Sequence, residues 1–529
     1  MSSNTLLINV DIAETRVALI ESGSVTELFL ERSHERSPVG NIYLGKVTRV
    51  LPGMQAAFID IGLDRAAFLH VEDVVPQEDM NHLLNVDREE ADEADEADDA
   101  DDASANGKGK AKAKAKAKAT GRSKVTRATP IRDVLKEGQS LMVQVSKGPI
   151  GTKGARVTSH VSMPGRYVVY LPTVEHIGIS KRIGNEKERR RLKESIEAFK
   201  PPRGGFIVRT VATGLTKKHI KADVGYLVHQ WDKVGKRMNN VKKAPAQVYE
   251  DLDIILRAAR DHFTEEVGKI IIDSPTEYER LKEFLGVFLP ERADDVELYT
   301  GRDPVFDEYG VEDEISRALA RKVPLASGGY LIIDQAEALT AIDVNTGRFT
   351  GKGKGLEETI LLTNLEAVQE IAYQLRFRNI GGLLVLDFID MERAGNRDKV
   401  YKKLVAALKK DRATTTVTRV SELGLIEMTR KRTRESLGRT LYEPCFYCDG
   451  TGELQSKATI CHEIIRQIRR EKEGLAGYKI VVNAHPAICD MLKREHKKSL
   501  EEASNLFQRQ VTVRPHREYH LEQYDLKGN

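Results

Sequence analysis

The sequence predicts an α+β chain of several domains, and three observations carry that prediction. First, two motifs in which a carboxylate ends an apolar run, Ala338–Gly347 and Gly381–Met391, flank an amphipathic stretch in which Leu361, Leu365, Val368, Ile371, Ala372 and Leu375 recur at helical spacing. Strand, helix, strand is a crossover, which sets the two strands parallel. Second, short strands separated by turn residues from about 37 to 84 resume at Ser140–Val145, the rhythm of a small barrel broken by one long loop. Third, 529 residues exceed what one core normally serves.

In chain order, Leu6–Val10 and Thr15–Ile20 alternate like a β-hairpin and lack the charged-then-apolar layout of a signal peptide. Asn41–Val47, Gln55–Gly62 and Ala66–Leu69 are the first barrel strands, with Phe58 and Phe68 flanking the turn Gly62–Arg65. In an OB-type barrel such rings stack the bases of single-stranded nucleic acid; two core phenylalanines are the plainer reading. Lys147 and Lys153, among the glycines of Lys147–Gly154, add positive charge. The net charge of +3 hides segregation, because Asp87–Asp102 is mostly acidic and Gly107–Arg127 mostly Lys alternating with Ala. That segment, about 85 to 128, is expected to be disordered. Its basic half would touch nucleic acid or serve only as a solvated linker.

Residues 163–255 are mixed, with strands at Arg166–Pro172 and Gly204–Thr210 and a helix over Asn185–Phe199. The second strand ends in Arg209-Thr210. A guanidinium fork and a hydroxyl suit phosphate, although a surface ion pair is the default for any single Arg. Residues 256–320 mix helix and strand. Residues 457–529 predict a helix over Ile460–Lys472, a strand over Tyr478–Val482 and a helix near Ala487–His496. There is no apolar run of eighteen residues, so no transmembrane helix is expected. Four cysteines fit a reducing cytoplasm.

The crossover would place Asp343 and Asp387 side by side at one mouth, with Asn345 facing the same way as Asp343. Adjacent carboxylates repel unless a cation lies between them. An oxygen-only donor set favours Mg2+ or Mn2+ over zinc. That chemistry points to phosphodiester hydrolysis; carboxylates capping turns after strands are the alternative. Cys445-Phe-Tyr-Cys448, closed by Gly450 and Gly452, is a zinc-ribbon corner supplying two of four ligands. Cys461, His462 and Cys489 could complete a site within the chain, a second copy's Cys-x-x-Cys is the tidier completion, and thioredoxin-like redox chemistry is a third option.

Eight ordered blocks resemble the ribonuclease E / ribonuclease G family of endoribonucleases: Gln55–Asp60, Gly151–Ala155, Gly204–Thr210, Leu298–Gly301, Glu337–Asn345, Thr363–Ala367, Gly381–Met391 and Cys445–Gly452. The resemblance implies that Asp343 and Asp387 hold a catalytic Mg2+, with Asn345 orienting water or phosphate. It implies that Arg209, Thr210 and Val169, with Arg182 nearby, sense a 5′-monophosphate. Phe58, Phe68, Lys147 and Lys153 would line the RNA path, and Cys445 and Cys448 would share one Zn2+ between two protomers. The implied architecture is an RNase H-like part (1–36 and 256–320) split around an OB-fold barrel (37–160) and a 5′-sensing region (161–255). A DNase I-like catalytic domain (321–441), a zinc link (442–456) and a small α/β domain (457–529) follow.

The resemblance further implies a dimer or tetramer, single-stranded RNA substrates in rRNA processing and mRNA decay, and a cytoplasmic location. Length and ending match the ribonuclease G branch, so no degradosome scaffold arm is expected. The charged insert departs from the family pattern. Two rival functions remain on the sequence alone: an inactive relative that holds RNA, and a metal nuclease acting on DNA, which the acidic pair by itself would permit.

Overall fold

The computed structural model describes residues 4–34, 36–75, 129–149, 153–347, 355–421, 424–471 and 477–529; the charged insert at about 85–128 lies outside the described residues. The chain divides into two compact units, 1–437 and 438–529.

The first unit opens with β1 (Asn4–Val10), β2 (Glu14–Glu21) and β3 (Ser24–Arg32), one strand more than the hairpin expected. A barrel follows: β4 (Ile42–Leu51), β5 (Ala56–Asp60), β6 (Ala67–His70), β7 (Ser140–Lys147) and β8 (Arg156–Thr158). The order β4-β5-β6-β8-β7 closes because β7 pairs back onto β4. The insert therefore falls between two strands of one closed sheet, and closure leaves these strands no free edge. Val47, Ala57, Ile59, Leu69, Val143 and Val157 fill the interior.

Next come β9 (Met163–Pro164), β10 (Val168–Leu171), β11 (Ile177–Ile179) and β12 (Gly205–Val208), a four-stranded sheet ordered β11-β12-β10-β9. A helix over Glu186–Glu197 is capped by Asn185, whose side chain accepts from the Lys187 and Glu188 amides. The 24-residue helix Lys217–Asn240 was not anticipated. Its interior glycines, Gly225 and Gly235, each cost about 1 kcal/mol against Ala. Burial of Ile220, Val224, Leu227, Trp231 and Val234 on one face offsets that. Then β13 (Ala246–Tyr249) adds to the barrel beside β4. The strands β14 (Val267–Ile272) and β15 (Val296–Leu298) return to the first sheet, giving the order β15-β14-β1-β2-β3. Leu6, Leu7, Ile8 and Ile270, Ile271, Ile272 are buried as continuous runs, as parallel neighbours covered on both faces should be.

The last sheet of this unit holds β16 (Lys322–Pro324), β17 (Tyr330–Gln335), β18 (Leu339–Asn345), β19 (Gly382–Asp387), β20 (Thr415–Val417) and β21 (Leu425–Arg430), ordered β16-β17-β18-β19-β21-β20. Only β18 and β19 run parallel, joined by the helix Leu356–Phe377. Ile342, Val344, Leu384, Leu386, Ile426 and Met428 pack beneath that helix and the helix Ala394–Leu408. The opposite face, with Ala341, Asp343, Leu383 and Asp387, is exposed.

The second unit has β22 (Lys479–Ala484) at the centre, β23 (Gln510–Pro515) parallel to it and β24 (Tyr524–Gly528) antiparallel. Helices Lys457–Glu471 and Pro486–Arg494 match the sequence reading, and Lys497–Phe507 is an additional one. Among the described residues no helix is long and apolar enough to cross a membrane.

Candidate active site

Strand alternation decides where the acidic pair points. In β18, Thr340, Ile342 and Val344 face the core, so Asp343 and Asn345 face the other way. In β19, Leu384 and Leu386 face the core, and Asp387 is the last, exposed residue. The parallel register pairs Asp343 directly with Asp387. The Asn345 amide nitrogen donates to Asp343 Oδ2 at 2.8 Å. Partial burial, then the charges of Asp343 and Asp390, raise the Asp387 carboxyl above its ordinary value. Like charges held together on rigid strands are what a cation would relieve.

The donor set fits Mg2+. It is oxygen only; among the described residues no group of three or more His, Cys, Asp or Glu is placed to hold a metal ion by itself, so protein would supply only part of the shell. One or two carboxylates are what Mg2+ usually takes from protein, with water and substrate phosphate completing its shell.

Sequence reasoning missed the residues that fix the turn after β19. Asn364, fully buried in the helix Leu356–Phe377, donates to Ile389 O at 2.8 Å and accepts from the Ile389 amide at 3.1 Å. Glu357 accepts from the Glu392 and Arg393 amides and from Asn396 Nδ2. A buried Asn inside an apolar helical stripe was the available signal.

On the barrel, Phe58 and Phe68 are directly opposite on β5 and β6, edge to face with ring centroids 6.2 Å apart. Both are half-buried and neither belongs to the barrel's apolar cluster, so the core-phenylalanine reading does not hold. Lys147 ends β7 and is exposed. Lys153 is exposed too; Gly154 beside it has no room for a Cβ because Ala66 O would lie 2.3 Å away. That close approach sets Lys153 next to the turn between the two phenylalanines.

The four-stranded sheet gathers the phosphate candidates. Val169 on β10 pairs with Ile207 on β12, and Arg209-Thr210 follow the end of β12. Ser180, just after β11, donates its amide to Val208 O, which brings Arg182 near the same strand end. Arg209 Nη1 donates to Gly165 O at 2.8 Å and to Asp261 Oδ1 at 2.7 Å. Burial would raise the Asp261 carboxyl, but Arg260 and Arg209 together lower it to about 2. A guanidinium has five N–H donors, so this tether orients Arg209 while leaving others for a ligand. Thr210 and Arg182 are exposed.

In the second unit, Cys445 is exposed and Cys448 half-buried. The Gly452 amide donates to Cys448 Sγ at 3.2 Å and leads the contacts that hold this thiol below its ordinary pKa. Zinc is ligated by the thiolate form, which that shift favours. Cys461 and Cys489 are buried in the apolar core, and burial raises both thiols, Cys461 to about 11. They suit packing, not ligation. His462 packs edge to face on His496, 4.8 Å between centroids.

Comparison with known proteins adds an independent observation. The model of the Ribonuclease E/G family matches residues 162–433. The chain belongs to the ribonuclease E/G family. Residues 444–529 match a second model, the RNase E/G thioredoxin-like domain. Ribonuclease G of Escherichia coli (strain K12) is 44% identical over 524 residues, 98% of this chain and 99% of the relative. Ribonuclease G of Haemophilus influenzae is 41% identical over 527 residues, 99% of each. Ribonuclease E of Escherichia coli is 34% identical over 461 residues, 87% of this chain but 39% of that longer protein. Membership in the ribonuclease E/G family makes the chain an endoribonuclease.

Proposed function

We propose that this endoribonuclease cuts single-stranded RNA with Mg2+ held by Asp343 and Asp387. The observation that carries the reading is their direct register pairing on one exposed sheet face, with Asn345 bonded to Asp343. Bound Mg2+ would supply Lewis acidity to the scissile phosphate and lower the pKa of an attacking water. The two carboxylates hold the ion on adjacent strands. Asn345 fixes the rotamer of Asp343 and offers its amide oxygen to water. Cleavage of matched RNA and DNA oligonucleotides, with Mg2+ or with EDTA, tests this. Internal cuts in RNA that EDTA stops are expected; cuts in DNA at equal rate would move the reading to a general nuclease.

The same reading takes the barrel as an OB-type RNA path, the split first sheet as RNase H-like and the last sheet as DNase I-like, with the domain boundaries given above. It places the enzyme in the cytoplasm, acting in rRNA processing and mRNA decay. Arg209, Thr210, Val169 and Arg182 form the 5′-monophosphate sensor. Arg209→Gln should reduce the advantage of 5′-monophosphate over 5′-hydroxyl RNA to about one, a loss on the order of tenfold for one charge-assisted contact. Competing the two substrates in one reaction measures it, and an undiminished preference removes Arg209 from the sensor.

Cys445 and Cys448 supply half of a zinc site, and a second copy of the chain supplies the other half. Cys445→Ser with Cys448→Ser should release about one zinc per two chains and lower the mass in solution. Zinc analysis and light scattering check both quantities; lost zinc at unchanged mass would instead place the site within one chain.

A further inference from the structure

We propose that Arg49 and Arg156 complete, with Phe58, Phe68 and Lys147, a track that carries single-stranded RNA across the barrel wall, transverse to the strands. The proposal rests on the RNA reading above and adds its direction and two of its residues. The register supplies the geometry. Arg49 on β4 stands opposite Phe58 on β5, Phe58 opposite Phe68 on β6, Phe68 opposite Arg156 on β8, and Arg156 opposite Lys147 on β7. Five residues on five consecutive strands thus form one row of cation, ring, ring, cation, cation. At about 4.8 Å between strands the row spans roughly 19 Å.

Two irregularities make the row. The β4–β5 ladder shifts between Val47 and Arg49, and the β7–β8 ladder between Val145 and Lys147. An extra residue in a ladder re-aims the side chains beyond it. Val47 and Val145 stay in the core while Arg49 and Lys147 are exposed. The rings at the centre are kept out of the barrel core and half-exposed between cations. Rings accept stacked bases and flanking cations accept phosphates, without a demand on sequence. Carboxylates border the row at both ends: Glu137 Oε1 accepts from the Val50 amide beside Arg49 at 3.1 Å, and Asp73 Oδ2 accepts from Arg156 Nη2 at 2.9 Å. Asp73 pairs with the Arg156 guanidinium itself and weakens its hold on phosphate, whereas Glu137 is bonded to backbone, so Arg49 and Lys147 carry more of the affinity.

The test is the salt dependence of binding of the full-length protein to a fluorescent A/U-rich RNA of about twelve nucleotides, in EDTA. Each phosphate contact contributes about 0.7 to the slope of log affinity against log salt for single strands. Arg49→Gln with Lys147→Gln should flatten the slope by about 1.4. Arg49→Lys should retain the slope, which separates lost charge from lost folding. Arg156→Gln should have a smaller effect, and Lys236→Gln on the helix Lys217–Asn240 none. An unchanged slope in the double variant, with Phe58→Ala still weakening binding, would overturn the transverse track and leave the RNA reading standing. No binding by the unmodified protein would overturn that reading and the track together.

Discussion

Asp387→Asn should lower RNA cleavage by about 10³-fold or more while leaving RNA affinity within about twofold. A loss of that size is about 4 kcal/mol of transition-state stabilisation, within the several kcal/mol a positioned metal supplies. The substitution keeps the shape of the side chain and removes its charge. Asp387 is the exposed last residue of β19, and its ladder pairings are made by backbone, so neither the core nor the ladder depends on its side-chain charge. Asp343 would remain as a single carboxylate, which would hold the ion more weakly and leave it poorly positioned for the reaction. Folding should not suffer. Asp343 and Asp390 already repel this carboxylate, and neutralising it relieves that repulsion. The variant should therefore melt at or slightly above the temperature of the unmodified protein. Single-turnover cleavage, fluorescence anisotropy and a melting curve measure the three quantities. Full cleavage would remove Asp387 from the chemistry, and lost binding would mean that it holds RNA and not metal.

The acidic pair was legible because its signal is local: two apolar runs, each ending in Asp, and a helical stripe between them. Crossover geometry then forces parallel strands, and the register aligns Asp343 with Asp387. The clamp on the next turn was not legible, because it needs Asn364 and Ile389 to meet across packed elements. Phe58 and Phe68 were visible as a pair around a turn. Arg49 and Arg156 were not, since their alignment depends on two ladder shifts that no alternation pattern announces. Long-range pairing was hidden too. The strand β1 lies parallel to β14, Leu6 opposite Ile270, across the whole intervening barrel and four-stranded sheet. Burial of the partner runs selects that match, and many apolar runs would satisfy the same pattern locally.

Asp411→Ala should destabilise the sheet that carries the acidic pair by about 3–5 kcal/mol, the usual result of stranding a buried charge. Arg430 on β21 and Asp411 form a two-pronged pair, Nε to Oδ2 at 2.6 Å and Nη2 to Oδ1 at 3.1 Å. Their side chains are only 5% and 3% exposed. The remaining prong of Arg430 donates to Ile380 O at 2.9 Å, at the approach to β19. Removing Asp411 leaves a guanidinium in the interior without its counterion. The Ala413 amide also loses its acceptor, Asp411 Oδ1. Exchange of backbone amides in residues 382–387 and 425–430 should quicken by about 10²-fold or more, because these strands open when their anchor is lost. Cleavage should fall with it, since Asp387 ends β19, whereas affinity for RNA held on the barrel should change little. The pair's value lies in mutual compensation more than in net attraction. Replacing both partners, Asp411→Leu with Arg430→Met, should therefore recover much of the protection that either single change removes. A double variant no better protected than Asp411→Ala would mean that Arg430's bond to Ile380, and not its charge pairing, holds the sheet together.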